Sequence, residues 1–317
     1  MSTIRRVKNV ARSLAALSFG LAVALPVVAN AATSPLTLQA SAVATSLNTA
    51  TASAGVQDSL NTLASETWDS TSISQACAKM VVACAYGTGS KSVVLYGDSH
   101  APMWAAAVVP ALLAKGFRVM MYWMPGCTPG HVAVATPMCT DAWRKSVEDA
   151  VTKAKVKPKA VILAERSTDL TLAAGGAVSG ATLTAGLVDA IKVLKSKGTK
   201  VIVLGDNPVM MFGSTYNPSY SPAGCVSAHL NDLRTCDTSL SSSLSHTLSG
   251  AEKAAAKTTG ATFIDTSPWV CSTTRQLCPV VINNRVAYRD AFHFSWTYVA
   301  SLKDLVSAAL ASPLGYK

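Results

Sequence analysis

Val93-Val94-Leu95-Tyr96-Gly97-Asp98-Ser99-His100-Ala101-Pro102 is the stretch from which the fold can be read. Four apolar, β-favouring residues lead into a Gly-Asp-Ser-His turn, and a helical run opens at Ala101-Pro102. Pro102 suits the first turn of a helix, where its missing N–H leaves no bond unmade. The apolar run does not alternate with polar residues, the pattern of a strand buried on both faces. Ser92–Tyr96 is therefore read as a strand, and similar runs recur at Arg118–Trp123, Ala160–Ala164, Lys200–Leu204 and Thr262–Ile264. Met103–Lys115, Asp141–Lys155, Leu183–Lys197 and Leu240–Thr258 lie between or beside them with helical character, and a last helix is expected over Trp296–Ala311. Strand alternating with helix predicts a three-layer α/β/α sandwich with a central parallel sheet, flavodoxin-like in its build. Two insertions interrupt the rhythm, Pro125–Cys139 and Met210–Cys236, each carrying a cysteine pair.

Outward from this core, the N-terminus reads as an export signal. Arg5, Arg6, Lys8 and Arg12 precede an apolar run, Leu14–Val28, and then Ala29-Asn30-Ala31, a small-x-small cleavage site. Residues 1–31 are expected to be a signal peptide, 32–73 an Ala/Ser/Thr-rich tether or helical extension, and 74–317 the main domain. Cleavage near Ala31 lowers the net charge from +10 to +6, because four of the 27 basic residues lie in the leader and none of the 17 acidic ones does. The longest later apolar run, Ala101–Ala114, is too short to cross a bilayer. The expected location is secreted or extracytoplasmic, in the cell envelope. Eight cysteines agree with an oxidising compartment. Cys77 and Cys84, Cys127 and Cys139, Cys225 and Cys236, and Cys271 and Cys278 fall into four local pairs; nearest-neighbour bridging is the simplest connectivity, though sequence does not choose among the alternatives. No Cys-x-x-Cys occurs, so no metal is expected.

In an open parallel sheet, ligands bind beyond the carboxyl ends of the strands. The first such loop holds Ser99. A serine at a strand-to-helix turn has an exposed hydroxyl beside the unpaired N–H groups of the helix start, which stabilise negative charge. These are requirements of a nucleophile that forms a tetrahedral oxyanion. The plain alternative is that Asp98 and Ser99 only cap the helix. Among His100, His131, His229, His246 and His293, the last is distinguished by its setting, Tyr288-Arg289-Asp290-Ala291-Phe292-His293-Phe294-Ser295. Asp290 and His293 are three apart, so a turn can place the carboxylate on Nδ1 and leave Nε2 to take the serine proton. The alternative is that Asp290 and Ser295 cap the final helix.

Gly-Asp-Ser-His after the first strand and Asp-x-x-His before the last helix resemble the SGNH (GDSL-like) hydrolase superfamily. Within it the chain is similar to the extracytoplasmic domain of acyltransferase-three type membrane proteins, which O-acetylate envelope glycans. Gly126-Cys127-Thr128-Pro129, Cys139 followed by Trp143-Arg144, and the Cys271/Cys278 pair add to the likeness, which runs from about Cys77 to Leu310. The resemblance implies Ser99 as nucleophile, His293 as general base and Asp290 as its orienter, with the backbone N–H groups of Ser99 and Gly126 at the oxyanion. The superfamily's Gly-x-Asn-Asp block is replaced by Ala164-Glu165-Arg166-Ser167, so Arg166 and Asn207 stand as substitute donors. Arg166 has a structural alternative, an ion pair with Glu165 or Asp169.

The resulting expectation is a secreted serine-dependent O-acetyltransferase or acetylesterase acting on cell-envelope carbohydrate through an acyl-serine. It needs no cofactor. Its partners would be an acylated or acceptor glycan and, for transfer, a separate membrane protein that donates the acyl group. The rival class is a non-catalytic glycan- or surface-binding module on the same scaffold. Nucleic acid is not an expected partner, because the Lys and Arg residues are scattered and no recognition motif occurs.

Overall fold

The computed structural model describes residues 33–66, 84–213 and 215–317. The expected signal peptide, Trp68 and Cys77 lie outside the described residues. Ser34–Lys317 forms one unit. In chain order it contains α1 (Pro35–Ser46), α2 (Ala54–Ser65), β1 (Cys84–Tyr86), β2 (Lys91–Gly97), α3 (His100–Leu113), β3 (Phe117–Trp123), α4 (Asp141–Thr152), β4 (Ala160–Ala164), α5 (Gly180–Lys195) and β5 (Lys200–Leu204). There follow α6 (Pro222–Ala228), β6 (Thr238–Ser239), α7 (Leu240–Ser245), α8 (Ser249–Thr259), β7 (Thr262–Ile264), β8 (Leu277–Cys278), β9 (Val281–Ile282), β10 (Arg285–Val286), α9 (Trp296–Ser301) and α10 (Lys303–Leu314).

The main sheet has the order β1-β3-β2-β4-β5-β7. β3, β2, β4, β5 and β7 are parallel, and β1 closes one edge antiparallel to β3. Counting only parallel strands, the order is 2-1-3-4-5, the doubly wound flavodoxin-like arrangement. The chain reverses direction around β2, so the crevice at the carboxyl ends of β2 and β4 is the switch point where such sheets take ligands. Ser99 stands there, two residues beyond β2.

Two apolar layers sandwich the sheet. On one face Val93 and Leu95 pack with α3, α9 and α10; on the other Val94 and Tyr96 meet α4, α5 and α8. Residues 93–96 are at most 4% exposed, which explains their unbroken hydrophobicity. α3 is apolar nearly all round because it lies between the sheet and α9 and α10. By contrast, α4 has one apolar stripe ending in Val147 and Val151, and its N-terminus is capped by Thr140 accepting from the Trp143 N–H. Gly97 has a steric reason: a Cβ there would fall 1.7 Å from the Ala164 carbonyl, so β2 and β4 approach too closely for any side chain.

The structure revises the sequence-based boundaries in three places. The expected helix Leu240–Thr258 is two helices, α7 and α8, and the last helix breaks at Leu302 into α9 and α10. The antiparallel β1, three residues long, adds a strand to those expected. The segment expected to be a tether or helical extension carries α1 and α2, both in contact with the rest of the domain. Its buried apolar residues are few and fall in narrow stripes, Val43 and Leu47, then Val56, Leu60 and Leu63, while Leu36 and Leu38 stay exposed. Polar bonds fix it too, with the Val286 N–H donating to Ser59 Oγ at 2.9 Å and Gln39 Nε2 to the Tyr298 hydroxyl at 3.1 Å.

Candidate active site

At the end of β2 the chain turns directly into α3. Asp98 holds the start of that helix through its side chain and also ties two loops together. Its Oδ1 accepts from the His100 N–H at 2.8 Å and its Oδ2 from the Arg166 N–H at 2.9 Å, linking the turn after β2 to the turn after β4. Ser99 is the N-cap residue of α3 by position, yet its hydroxyl makes no cap bond. Instead Ser99 Oγ lies 2.8 Å from His293 Nε2.

The second segment folds into a tight loop before α9. Ser295 caps α9 through its hydroxyl and the Tyr298 N–H, whereas Asp290 caps the loop itself. Asp290 Oδ1 accepts from the Phe292 and His293 N–H groups, at 3.0 and 2.7 Å, leaving Oδ2 to face His293 Nδ1 at 2.8 Å. The local turn thus orients the ring: a carboxylate on Nδ1 selects the tautomer whose Nε2 accepts the serine proton. Asp290, His293 and Ser99 form one continuous chain of hydrogen bonds. Burial pulls the Asp290 carboxyl up, but the hydrogen bond and charge of the His293 ring, together with the Phe292 and His293 N–H groups, outweigh it and hold the group below its ordinary range. Burial drives His293 down to about 4, so the ring is a neutral base near pH 7.

The loop after β5 holds this segment. The Met210 N–H donates to Ala291 O at 2.7 Å, and Asn207 Nδ2 donates to Phe292 O at 2.9 Å and to Pro208 O at 3.4 Å. Asn207 is therefore corrected from oxyanion donor to strut, since its amide nitrogen is already engaged with backbone carbonyls. Arg166 forms no ion pair with Glu165 or Asp169; its guanidinium stacks over the Phe292 ring at 4.4 Å, beside His293. The Ser99 loop also abuts the turn after β3, where the Met124 N–H donates to Gly97 O at 3.1 Å. Gly126 in that turn has φ +63, and a Cβ would meet Thr136 Oγ1 at 2.9 Å. Among the described residues, neither the Ser99 N–H nor the Gly126 N–H meets an acceptor.

Disulfides brace the surrounding loops. Cys127–Cys139 closes the insertion after β3, Cys225–Cys236 the insertion after β5, and Cys271–Cys278 the segment that leads to the histidine loop. Cys84 is also disulfide-bonded, while Cys77 lies outside the described residues. His131 pairs with Glu148, His246 stacks on Tyr216, and neither joins Ser99.

Beneath the site lies a set of buried groups whose clustering is not visible in the sequence. Asp98, His100, Glu165, Asp206 and Glu252 are each at most 3% exposed. Burial, reinforced by the Asp98 and Asp206 charges against a hydrogen bond from Thr128, raises Glu165 to about 8. Burial likewise pushes Glu252 far above the carboxylate range. Nothing in the sequence marks Glu252, which sits on a helix of polar composition. Asp206 could have been noticed, because Gly205-Asp206-Asn207-Pro208 directly follows a strand as Gly-Asp-Ser-His does.

Residues 69–308 match the family profile "SGNH domain (fused to AT3 domains)". Among solved structures, the periplasmic domain of a lipopolysaccharide acetyltransferase from Salmonella ser. Paratyphi A is similar, with TM-score 0.53 and 14% identity over 70% of this chain and 85% of that one. At that identity the likeness is one of fold. A catalytic mutant of an acetylxylan esterase from Geobacillus stearothermophilus aligns with TM-score 0.43 and 14% identity, over 73% of this chain and 97% of the other. A GDSL-like lipase from Bacteroides thetaiotaomicron aligns with TM-score 0.41 and 11% identity, over 82% and 97%. No curated protein matches the chain.

Proposed function

The chain belongs to the SGNH domain family, and from that premise we propose that it is an exported, serine-dependent acyl-ester enzyme whose nucleophile is Ser99. The observation that carries the reading is the unbroken hydrogen-bond chain Ser99–His293–Asp290, with both side-chain contacts at 2.8 Å. His293 Nε2 takes the hydroxyl proton as Ser99 Oγ attacks the ester carbonyl. Asp290 stabilises the imidazolium that forms, without accepting its proton. The negative charge that develops on the carbonyl oxygen meets the Ser99 and Gly126 N–H groups, with the Arg166 guanidinium as a further positive group nearby. His293 returns its proton to the departing alkoxide and leaves an acyl-serine. An incoming hydroxyl, from sugar or water, then reverses the steps.

The acyl group is read as acetyl and the substrate as envelope carbohydrate, because the matching family is defined by fusion to AT3 domains. Disulfides suit an oxidising compartment, and among the described residues no helix is long and apolar enough to cross a membrane. Transfer and hydrolysis use the same three residues and differ in which hydroxyl reaches the acyl-serine. The test is to incubate the protein with a chromogenic acetate ester, with and without a glycan acceptor, beside Ser99→Ala. Serine-dependent turnover supports the enzyme reading, and acetylated glycan among the products identifies a transferase. Absence of serine-dependent turnover in both conditions overturns the enzyme and favours a glycan-binding module.

A further inference from the structure

His100 directly follows the nucleophile, yet its own partner lies deeper in the fold. The side chain is 1% exposed, and Nδ1 lies 3.2 Å from Asp206 Oδ1, a charge contact outside hydrogen-bond geometry. Asp206 is itself fixed by three donors from two consecutive residues. Its Oδ2 accepts from the Ser167 N–H and Ser167 Oγ, each at 2.8 Å, and from Thr168 Oγ1 at 3.3 Å. The His100 ring stands edge-on to the His293 ring, with centroids 5.1 Å apart and planes at 72°. Two imidazole–carboxylate pairs therefore stand side by side, and the one ending in His293 reaches Ser99.

The charged groups that act on these rings come from several elements: Asp98 precedes α3, Arg166 follows β4, Asp206 follows β5, and Asp290 lies in the loop before α9. Glu165, after β4, and Glu252, on α8, lie behind Asp98 and Asp206 and interact with those carboxyl groups. His100 thus sits among buried carboxyl groups. His293 has a different balance: its carboxylate partner Asp290 is 34% exposed, and the Arg166 cation stacks on the adjacent Phe292. Exclusion of water both strengthens Coulomb attraction and penalises a charged ring, and at the inner ring the attraction of Asp206 and Asp98 together prevails. Two imidazolium ions at this separation repel, so the first proton opposes the second.

We propose that His100, held by Asp206, is a positioning residue that takes up the imidazole proton in place of His293 and so keeps His293 a proton acceptor in mildly acidic surroundings. The inference rests on the reading of Ser99, His293 and Asp290 as the reactive centre. The electrostatics run the same way. Burial pulls His100 down, but Asp206 and Asp98 outweigh it and raise the group above its ordinary value. Burial lowers His293, and the charges of His100 and Arg166 lower it further.

The test is an NMR titration of the histidine rings in the intact protein, with assignments from His100→Gln and His293→Gln. His100 is expected to protonate at a higher pH than His293. In His100→Gln the His293 titration should move upward, and the acid limb of kcat/KM for an aryl acetate should move with it while KM stays unchanged. Below the limb, each pH unit of movement costs about tenfold in rate. His293 protonating first in the intact protein, or an unmoved His293 titration in a folded His100→Gln, would overturn the proposal. If His100→Gln does not fold, the order of protonation in the intact protein decides alone. The ring titrations need no turnover, so an inactive protein with the expected order overturns the enzyme reading and leaves the proton order standing.

Discussion

Ser99 stands at the end of a strand whose apolar side chains are all buried, whereas Asp290 and His293 sit in a loop with no regular structure of its own. The serine turn is positioned by the sheet: Gly97 touches the β4 backbone, and Asp98 ties its own turn, through the His100 N–H, to the turn after β4, through the Arg166 N–H. The histidine loop is positioned by its own Asx turn and by outside struts, Asn207 and Met210 from the loop after β5. One half is thus inseparable from the core, while the other is a small unit pinned to it. Substitutions on the serine side close to the backbone should disturb folding, and those on the histidine side should disturb alignment first.

Ser99→Ala gives the largest effect and the cleanest break between chemistry and fold. Its hydroxyl makes no cap bond and reaches only toward His293 among the described side chains. Ester turnover should fall by about 10^4-fold or more, with an unchanged melting temperature. A large loss of stability would mean that the hydroxyl serves the turn, and the contrast between the two halves would weaken. Asp290→Asn comes next. The amide can still accept from the Phe292 and His293 N–H groups, so the loop should keep its shape. It cannot stabilise an imidazolium, and it offers the wrong tautomer to the ring. A loss of about 10^2 to 10^4-fold in kcat with little change in KM is expected, read from steady-state rates on an acetate ester.

Asn207→Ala tests the struts. It removes the Nδ2 bond to Phe292 O and leaves a partly buried carbonyl without that donor, at a cost of about 1–3 kcal/mol. The Ser99–His293 contact should loosen, lowering kcat by about tenfold, measured together with a denaturant midpoint. An oxyanion donor would behave differently. Its removal would lower kcat by about 10^2 to 10^3-fold with no stability change.

The same contrast governs what the sequence made legible. Gly-Asp-Ser-His after a buried strand is contiguous, and Asp290 with His293 is an i, i+3 turn, so both could be read as local patterns. The doubly wound sheet was legible for a similar reason: strands buried on both faces have unbroken apolar runs. What stayed hidden was tertiary. Glu252 is buried only because α8 packs behind β5, and Asp206 matters because His100 turns toward it. The engagement of Asn207 depends on where a loop 85 residues away passes. Leu302 and the break between α7 and α8 carry no glycine or proline to mark them.

Residues 34–66 are the plainest case, since an Ala/Ser/Thr-rich segment reads equally as a tether or as a helical extension and shows no broad apolar face. The docking is instead concentrated at narrow stripes and at one carboxylate. Glu66 Oε2 and Oε1 accept from the Trp296 and Thr297 N–H groups at 3.0 and 3.1 Å, satisfying the first turn of α9 next to the histidine loop. An anionic group at a helix N-terminus is favoured by the unpaired N–H groups and by the helix dipole. Glu66→Ala should therefore cost about 0.5–2 kcal/mol in global stability, with kcat for the acetate ester reduced less than threefold, by about the factor expected of a strut one helix turn removed. Glu66→Gln, which keeps an acceptor but not the charge, should fall between. If Glu66→Ala instead lowered kcat as severely as Asn207→Ala, the histidine loop would depend on the N-terminal segment as much as on the sheet, and its description as a unit pinned chiefly through the loop after β5 would fail.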